Sequence, residues 1–209
     1  MIFGCGSIGS YAALAIFKMG FRNITLIDYD MVEAENIGTQ FFHEMDIGNH
    51  KNLALEQNLF VMSNSRLTGL NSMEHKFEYD KTKDYLALQE VCQGSIIVSA
   101  IDSMKARDWL FQLAPTLGAD YFIDGRMAIQ YLHVLGVDPL NLEASAKYKG
   151  TLFSDEEAVQ MPCTNKSIGY TAMTAGGVIA KVVKDVAVGK QQPFLNFHFD
   201  IDQLGAECL

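Results

Sequence analysis

Apolar and polar positions come in blocks along the chain, and each block predicts an element. Ile2-Phe3 reads as the end of a buried strand. From Ser7 to Met19 apolar residues recur at helical spacing, with Ile8, Ala12, Ala15 and Met19 on one face. The run NITLID, 23–28, is rich in β-formers and ends in an acid. Residues 31–50 carry no period and hold Gly38 and Gly48. Lys51 to Met62 is helical, with Leu53, Leu55, Leu59 and Phe60 as its apolar side. KFEYD, 76–80, is a short strand. SIIVSAID, 95–102, is an apolar strand ending in Asp102, followed by a helix from Ser103 to Leu113. YFIDGRM and QYLHVLGVDP read as two strands that can pair as a hairpin. Pro139 to Pro162 is a crossover, Ser167 to Val188 a long helix, and PFLNFHFDI a last strand.

Alternating strands and helices argue for a mostly parallel sheet with helices on both faces, and the 121–138 pair adds antiparallel strands in the C-terminal half. Ligands then sit beyond the carboxyl ends of the strands. The loop at 4–9, Asp28 and Asp102 each follow a strand, so they converge on one edge. No linker divides the chain, which is read as one domain. About half the residues (49%) are hydrophobic, enough for a sizeable core.

Charge and cysteine usage narrow the classes. A net charge of −9 disfavours nucleic acid as a main partner. No apolar run approaches membrane length, and no secretory signal precedes the glycines. Cys5, Cys92, Cys163 and Cys208 form no CxxC, which fits reduced thiols in the cytoplasm better than a disulfide framework or zinc site. His43 and His50 read as surface residues.

The chemistry starts at Gly4, Gly6 and Gly9, spaced G-x-G-x-x-G between strand and helix. The first permits a tight turn, the second lets phosphate approach the backbone, and the third lets strand and helix pack closely. The helix N-terminus then offers free N–H groups to an anion. Asp28, 19 residues after Gly9, stands where an acid reaches a ribose hydroxyl. An NAD-dependent oxidoreductase explains those features. It gives no use to the block from Asn36 to Lys51.

The blocks GCGSIGS, DYDMV, NIGTQ, GNHK and SAID occur in order across residues 4–102. They resemble the activating-enzyme superfamily that includes ThiF, MoeB and the ubiquitin-activating E1 enzymes. Its pattern is a glycine loop, a strand ending D-x-D-x-V, then N-x-x-R-Q, G-x-x-K and a strand ending in Asp. FIDGRM and MPCTNKSIGYTAMTAGGVIA are similar to the strand and late helix of stand-alone bacterial ThiF-like proteins, so the resemblance spans most of the chain.

The resemblance implies a Rossmann-like α/β fold, a single adenylation domain over 1–209, and adenylation of a carboxylate with ATP and Mg²⁺. The implied partner is the C-terminus of a small ubiquitin-like or sulfur-carrier protein, with a homodimer as the assembly. By the same resemblance Gly4, Gly6, Gly9, Asp28, Asp30, Asn36, Gln40 and Lys51 bind the nucleotide. Asp28 accepts from the ribose, Lys51 neutralises phosphate, Asp102 holds Mg²⁺, and Cys163 takes the acyl group as a thioester. Each position also has a local reading. Asp28 caps a loop, Lys51 is solvated, Asp102 caps the next helix, Asn36 and Gln40 are turn residues, and Cys163 is an inert loop thiol. Cys163 lies near Lys166 and ahead of a helix, surroundings that lower a thiol pKa.

Three departures stand out. Thr39 occupies the place of the family arginine, with Arg107 or Arg126 as candidate substitutes. The strand and helix that usually precede the glycine loop are missing, which reads as a truncated start. Paired CxxC zinc motifs are absent. These departures keep open a degraded nucleotide- or partner-binding relative. A tRNA-modifying relative is opposed by the acidic balance. Ala172, Ala175, Gly176 and Gly177 imply close packing, against this chain's own sheet or in a dimer interface. Phe194, Phe197 and Phe199 read as a core strand or as a late edge that receives a peptide.

Overall fold

The computed structural model describes residues 1–62, 70–73 (backbone alone), 88–89, 92–153 and 168–208. The elements are β1 (Ile2–Phe3), α1 (Ser7–Lys18), β2 (Ile24–Ile27), α2 (Lys51–Met62), β3 (Leu70–Met73), β4 (Ile96–Ser99), α3 (Met104–Leu113), β5 (Tyr121–Ala128), β6 (Tyr131–Val137), α4 (Leu142–Lys149), α5 (Gly169–Ala187), β7 (Phe194–Asp200) and β8 (Gly205–Cys208). Short 3₁₀ turns at Ala34–Asn36 and Glu44–Asp46 lie between β2 and α2. Among the described residues the strands form one eight-stranded sheet in the order β3-β2-β1-β4-β5-β6-β7-β8. The pairs from β3 to β5 are parallel, and those from β5 to β8 are antiparallel. The expected α/β fold with an antiparallel C-terminal half is what the chain adopts.

Successive side chains of a strand face opposite sides of a sheet, and the two faces build two cores. Ile2, Leu26, Val98, Ile123 and Val134 pack under α1, α2 and α5. Phe3, Ile27, Ile97, Phe122 and Leu135 pack under α3 and α4. On the second face Phe111, Phe122 and Tyr148 form an aromatic cluster with ring centroids 4.3 to 5.5 Å apart.

The small residues of α5 serve packing within the chain. A Cβ on Gly176 would lie 2.6 Å from the backbone of Tyr11, so α5 and α1 touch backbone to backbone. Ala172 and Ala175 are buried, whereas a Cβ on Gly177 would meet nothing within 4 Å.

Several expectations need correction. Met19 is exposed, and the buried side of α1 is Ile8, Ala12, Ala13, Ile16 and Phe17. Leu53 and Phe60 face outward, leaving Ala54, Leu55 and Leu59 as the inner side of α2. The crossover contains α4, and β7 is followed by β8, exposed along its length. Phe194, Phe197 and Phe199 are half-buried, Phe194 against the second core and the other two against the first. The strand expected at 76–80 lies outside the described residues, as does Cys163.

Candidate functional site

β1 and β4 are aligned so that Phe3 pairs with Ser99, and β2 ends level with them at Ile27. The glycine loop, Asp28 and the Ala100–Asp102 turn therefore leave the sheet side by side. Gly4 has φ +90°, and a Cβ there would lie 2.6 Å from the Ala100 carbonyl oxygen. A Cβ on Gly9 would lie 1.8 Å from the Gly4 carbonyl oxygen. These two glycines are demanded by the fold itself. Gly6 differs: a Cβ on it would meet nothing within 4 Å. It is the N-cap of α1, and no side chain caps that helix. The loop thus presents an open backbone surface at a helix N-terminus, where unpaired N–H groups favour an anion.

Asp28 ties this loop to β2. Its Oδ2 accepts from the Cys5 N–H at 2.5 Å and its Oδ1 from the Asp30 N–H at 2.8 Å. Burial raises the Asp28 carboxyl above its ordinary range, against these two hydrogen bonds and the Lys51 charge. Each carboxylate oxygen still has a lone pair for a hydroxyl donor. Cys5 is fully buried, and burial raises its thiol well above the ordinary value, as expected of a packing residue.

Lys51 opens α2. Its N–H donates to the Asp30 carbonyl at 2.8 Å, and its Nζ lies 3.2 Å from Asp30 Oδ2. The residue is buried, so the solvated reading fails. A buried cation at a helix N-terminus opposes the helix dipole, and Asp30 offsets it.

Asp102 stands exposed at the turn after β4. The next residue, Ser103, is the N-cap of α3 through a hydrogen bond from the Ala106 N–H to its Oγ at 3.3 Å. Capping therefore does not account for Asp102. Tyr29, between the two acids of the D-x-D block, is absent from the residues that the sequence pattern singles out. Burial raises its phenol first, followed by the charges of Asp30, Asp102 and Asp28.

Asn36 is partly committed to a turn, its Oδ1 accepting from the Glu33 N–H at 2.9 Å. Gln40 leaves its Oε1 buried without a partner. Beside it the Phe41 N–H donates to Ser10 Oγ in α1 at 3.0 Å, which fastens this loop to the first helix.

Arg107 and Arg126, the expected substitutes for an arginine at position 39, are engaged elsewhere. Both are buried and bind Asp124 on β5. Arg107 donates to Oδ1 through Nη1, and Arg126 donates to Oδ2 through Nε at 2.8 Å. Arg126 also holds the Thr151 carbonyl at 2.8 Å and hydroxyl at 3.0 Å.

Nucleotide and metal fit these residues to different degrees. The open backbone at Gly6 and the Lys51 ammonium suit phosphate. Among the described residues no three His, Cys, Asp or Glu side chains form a ready metal cage. Magnesium is commonly held by one or two carboxylates with substrate phosphates and water, and Asp102 suits that role.

Comparison with known proteins agrees with this fold. The chain is 35% identical over 112 residues to the NEDD8-activating enzyme E1 catalytic subunit of Dictyostelium discoideum, covering 53% of this chain and 23% of that protein. It is 29% identical over 134 residues to ubiquitin-like modifier-activating enzyme 5 of the same organism, covering 60% and 34%. The chain thus spans about a quarter to a third of these relatives. Its fold is similar to E. coli MccB crystallised with ATP, with TM-score 0.76 and 18% identity, covering all of this chain and 62% of that one. PaaA is similar at TM-score 0.74 and 17% identity, covering all of this chain and 62% of that one. No described helix is long and apolar enough to cross a membrane. A match to the ThiF family runs over residues 1–208, and the chain belongs to the ThiF family.

Proposed function

We propose that this chain adenylates a carboxylate, most simply the C-terminus of a small ubiquitin-like or sulfur-carrier protein. The observation that carries the reading is the open backbone at Gly6, in a loop tied to Asp28 through the Cys5 N–H, with Lys51 paired to Asp30 and Asp102 following the neighbouring strand. ATP would supply the α-phosphorus and pyrophosphate as leaving group. The acceptor carboxylate oxygen forms a bond to that phosphorus as the bond to the bridging oxygen breaks. Transfers of this kind depend mainly on positioning and charge neutralisation. Lys51 would turn from Asp30 to a phosphate oxygen, Asp28 would accept from the ribose, and Asp102 would hold Mg²⁺, which would supply neutralising charge. Asn36 and Gln40 would order the nucleotide by hydrogen bonds, and where a thioester forms the Cys163 sulfur would take the acyl group from the adenylate with release of AMP. A homodimer in the cytoplasm completes the reading.

The test is isotope exchange between pyrophosphate and ATP, with candidate acceptors and Mg²⁺. Exchange that needs both supports adenylation. Folded protein that binds NADH and not ATP returns the site to oxidoreductase chemistry. A second reading, nucleotide binding without adenylation, is favoured by Thr39, because the two candidate substitutes, Arg107 and Arg126, are engaged with Asp124. ATP binding with no exchange selects it.

A further inference from the structure

Asp124 is fully buried and accepts from Arg107, from Arg126 and from the Tyr148 hydroxyl at 3.1 Å. Two guanidinium groups thus share one carboxylate, and Arg107, only 5% exposed, has a buried Nε with no partner. Buried ion clusters of this kind are weak sources of stability, and apolar replacements are often neutral or better. The arrangement calls for another explanation, and the connectivity of Arg107 supplies one.

Arg107 joins three parts of the molecule. Its backbone N–H donates to the Ser103 carbonyl at 3.1 Å, closing the first turn of α3. Its side chain reaches β5, where Nη1 binds Asp124 and also donates to the Gly125 carbonyl at 2.9 Å. Asp124 pairs with Ser99, the last residue of β4. The turn that leaves β4 through Ala100, Ile101 and Asp102 is therefore held at both ends. β4 fixes where it begins, and Arg107 fixes the helical turn that receives it. Asp102 sits between these clamps, next to the Ser103 cap.

We propose that Arg107 is a positioning residue for Asp102, holding that carboxylate where it meets a magnesium-bound triphosphate. The inference rests on the adenylation reading and adds a residue that touches neither nucleotide nor metal. Residues that orient metal ligands from behind act this way, and losing one lowers metal affinity about 10- to 100-fold.

The test is calorimetric titration of ATP into the full chain, with and without Mg²⁺, for wild type, Arg107→Met, Arg107→Lys and Asp124→Asn. Arg107→Met is expected to leave magnesium-free ATP affinity unchanged. The strengthening by Mg²⁺ should fall about 10- to 100-fold. Arg107→Lys, which keeps the charge and one bond, should recover part of it, and Asp124→Asn should lose part. The two milder variants carry the test if Arg107→Met does not fold. Unchanged magnesium strengthening in folded variants overturns the inference. So does a fall in magnesium-free affinity, which would place Arg107 on the nucleotide itself. A wild-type chain that folds and binds no ATP overturns the adenylation reading, and this inference with it.

Discussion

Lys51 Nζ lies 3.2 Å from Asp30 Oδ2, and the backbone of the same pair is joined by a second hydrogen bond. The lysine is thus held against Asp30, two residues past the Asp28 carboxylate that ties down the glycine loop, before any ligand arrives. Lys51 is buried and Asp30 half exposed, so removing the Asp30 charge leaves the ammonium with less compensation. Asp30→Asn should therefore cost about 1–3 kcal/mol in denaturant titrations. A charge-assisted contact to phosphate is worth about 1.5–3 kcal/mol. Lys51→Met should accordingly lower ATP affinity about ten- to 150-fold, read by calorimetry. Equal ATP affinity in the folded variant would remove Lys51 from the site.

The three glycines separate fold from function. Alanine at Gly9 drives a Cβ to 1.8 Å from the Gly4 carbonyl oxygen, a clash between backbones that no rotamer relieves. Gly9→Ala should cost about 3 kcal/mol or more, or prevent folding. Gly6→Ala meets open space and should alter stability by no more than about 0.5 kcal/mol, while its methyl group obstructs phosphate. The expected result is a native melting curve with ATP binding lost. Tight ATP binding by Gly6→Ala would count against phosphate lying over this loop.

The half of the fold that frames the site was legible because its signals are local. Ile96–Ser99 is an apolar run buried on both faces, and Gly4, Gly6 and Gly9 announce a tight turn by spacing alone. The misses share a physical cause. β8 is exposed along its length, so Gly205–Cys208 carries no alternation to read. α4 buries only Ala144 and Tyr148, too little for a helical stripe. The Arg107–Asp124–Arg126 cluster forms between an α3 residue and two alternate positions of β5. Nothing in sequence spacing distinguishes those arginines from solvated ones.

Across the antiparallel half, Arg126, His133, His198 and Glu207 stand in one cross-strand row. The two imidazoles stack at 4.0 Å, and His133 Nε2 lies 2.7 Å from Asn196 Oδ1. Burial lowers the His133 pKa from 6.5 to about 4, and the neighbouring His198 and Arg126 push it the same way. The hydrogen bond to Asn196 and the charge of Asp124 oppose that fall. Between those two pH values the unfolded chain binds the proton more readily than the folded one. Stability from this group is complete above pH 6.5 and is lost as pH drops toward 4. His133→Gln should flatten that part of the melting-temperature profile relative to wild type. Parallel profiles from pH 7 to 4 would show that His133 titrates normally.

Thr39 offers a gain-of-function test. By the sequence resemblance it stands where relatives carry an arginine, and its loop is fastened to α1 through the Phe41–Ser10 hydrogen bond, so a side chain there starts from a fixed backbone. Neither Arg107 nor Arg126 compensates, since both are held by Asp124. A guanidinium added at position 39 gains a charge-assisted bond to phosphate worth about 1.5–3 kcal/mol. Thr39→Arg should then raise ATP affinity about ten- to 150-fold. Phosphate contacts of this kind act on any nucleotide with the same phosphate chain, so ATP and GTP should gain alike. A gain for ATP alone would place the new arginine on the base. No gain in a folded variant would mean that the loop does not face the phosphates, and Asn36 and Gln40 would leave the nucleotide set with it.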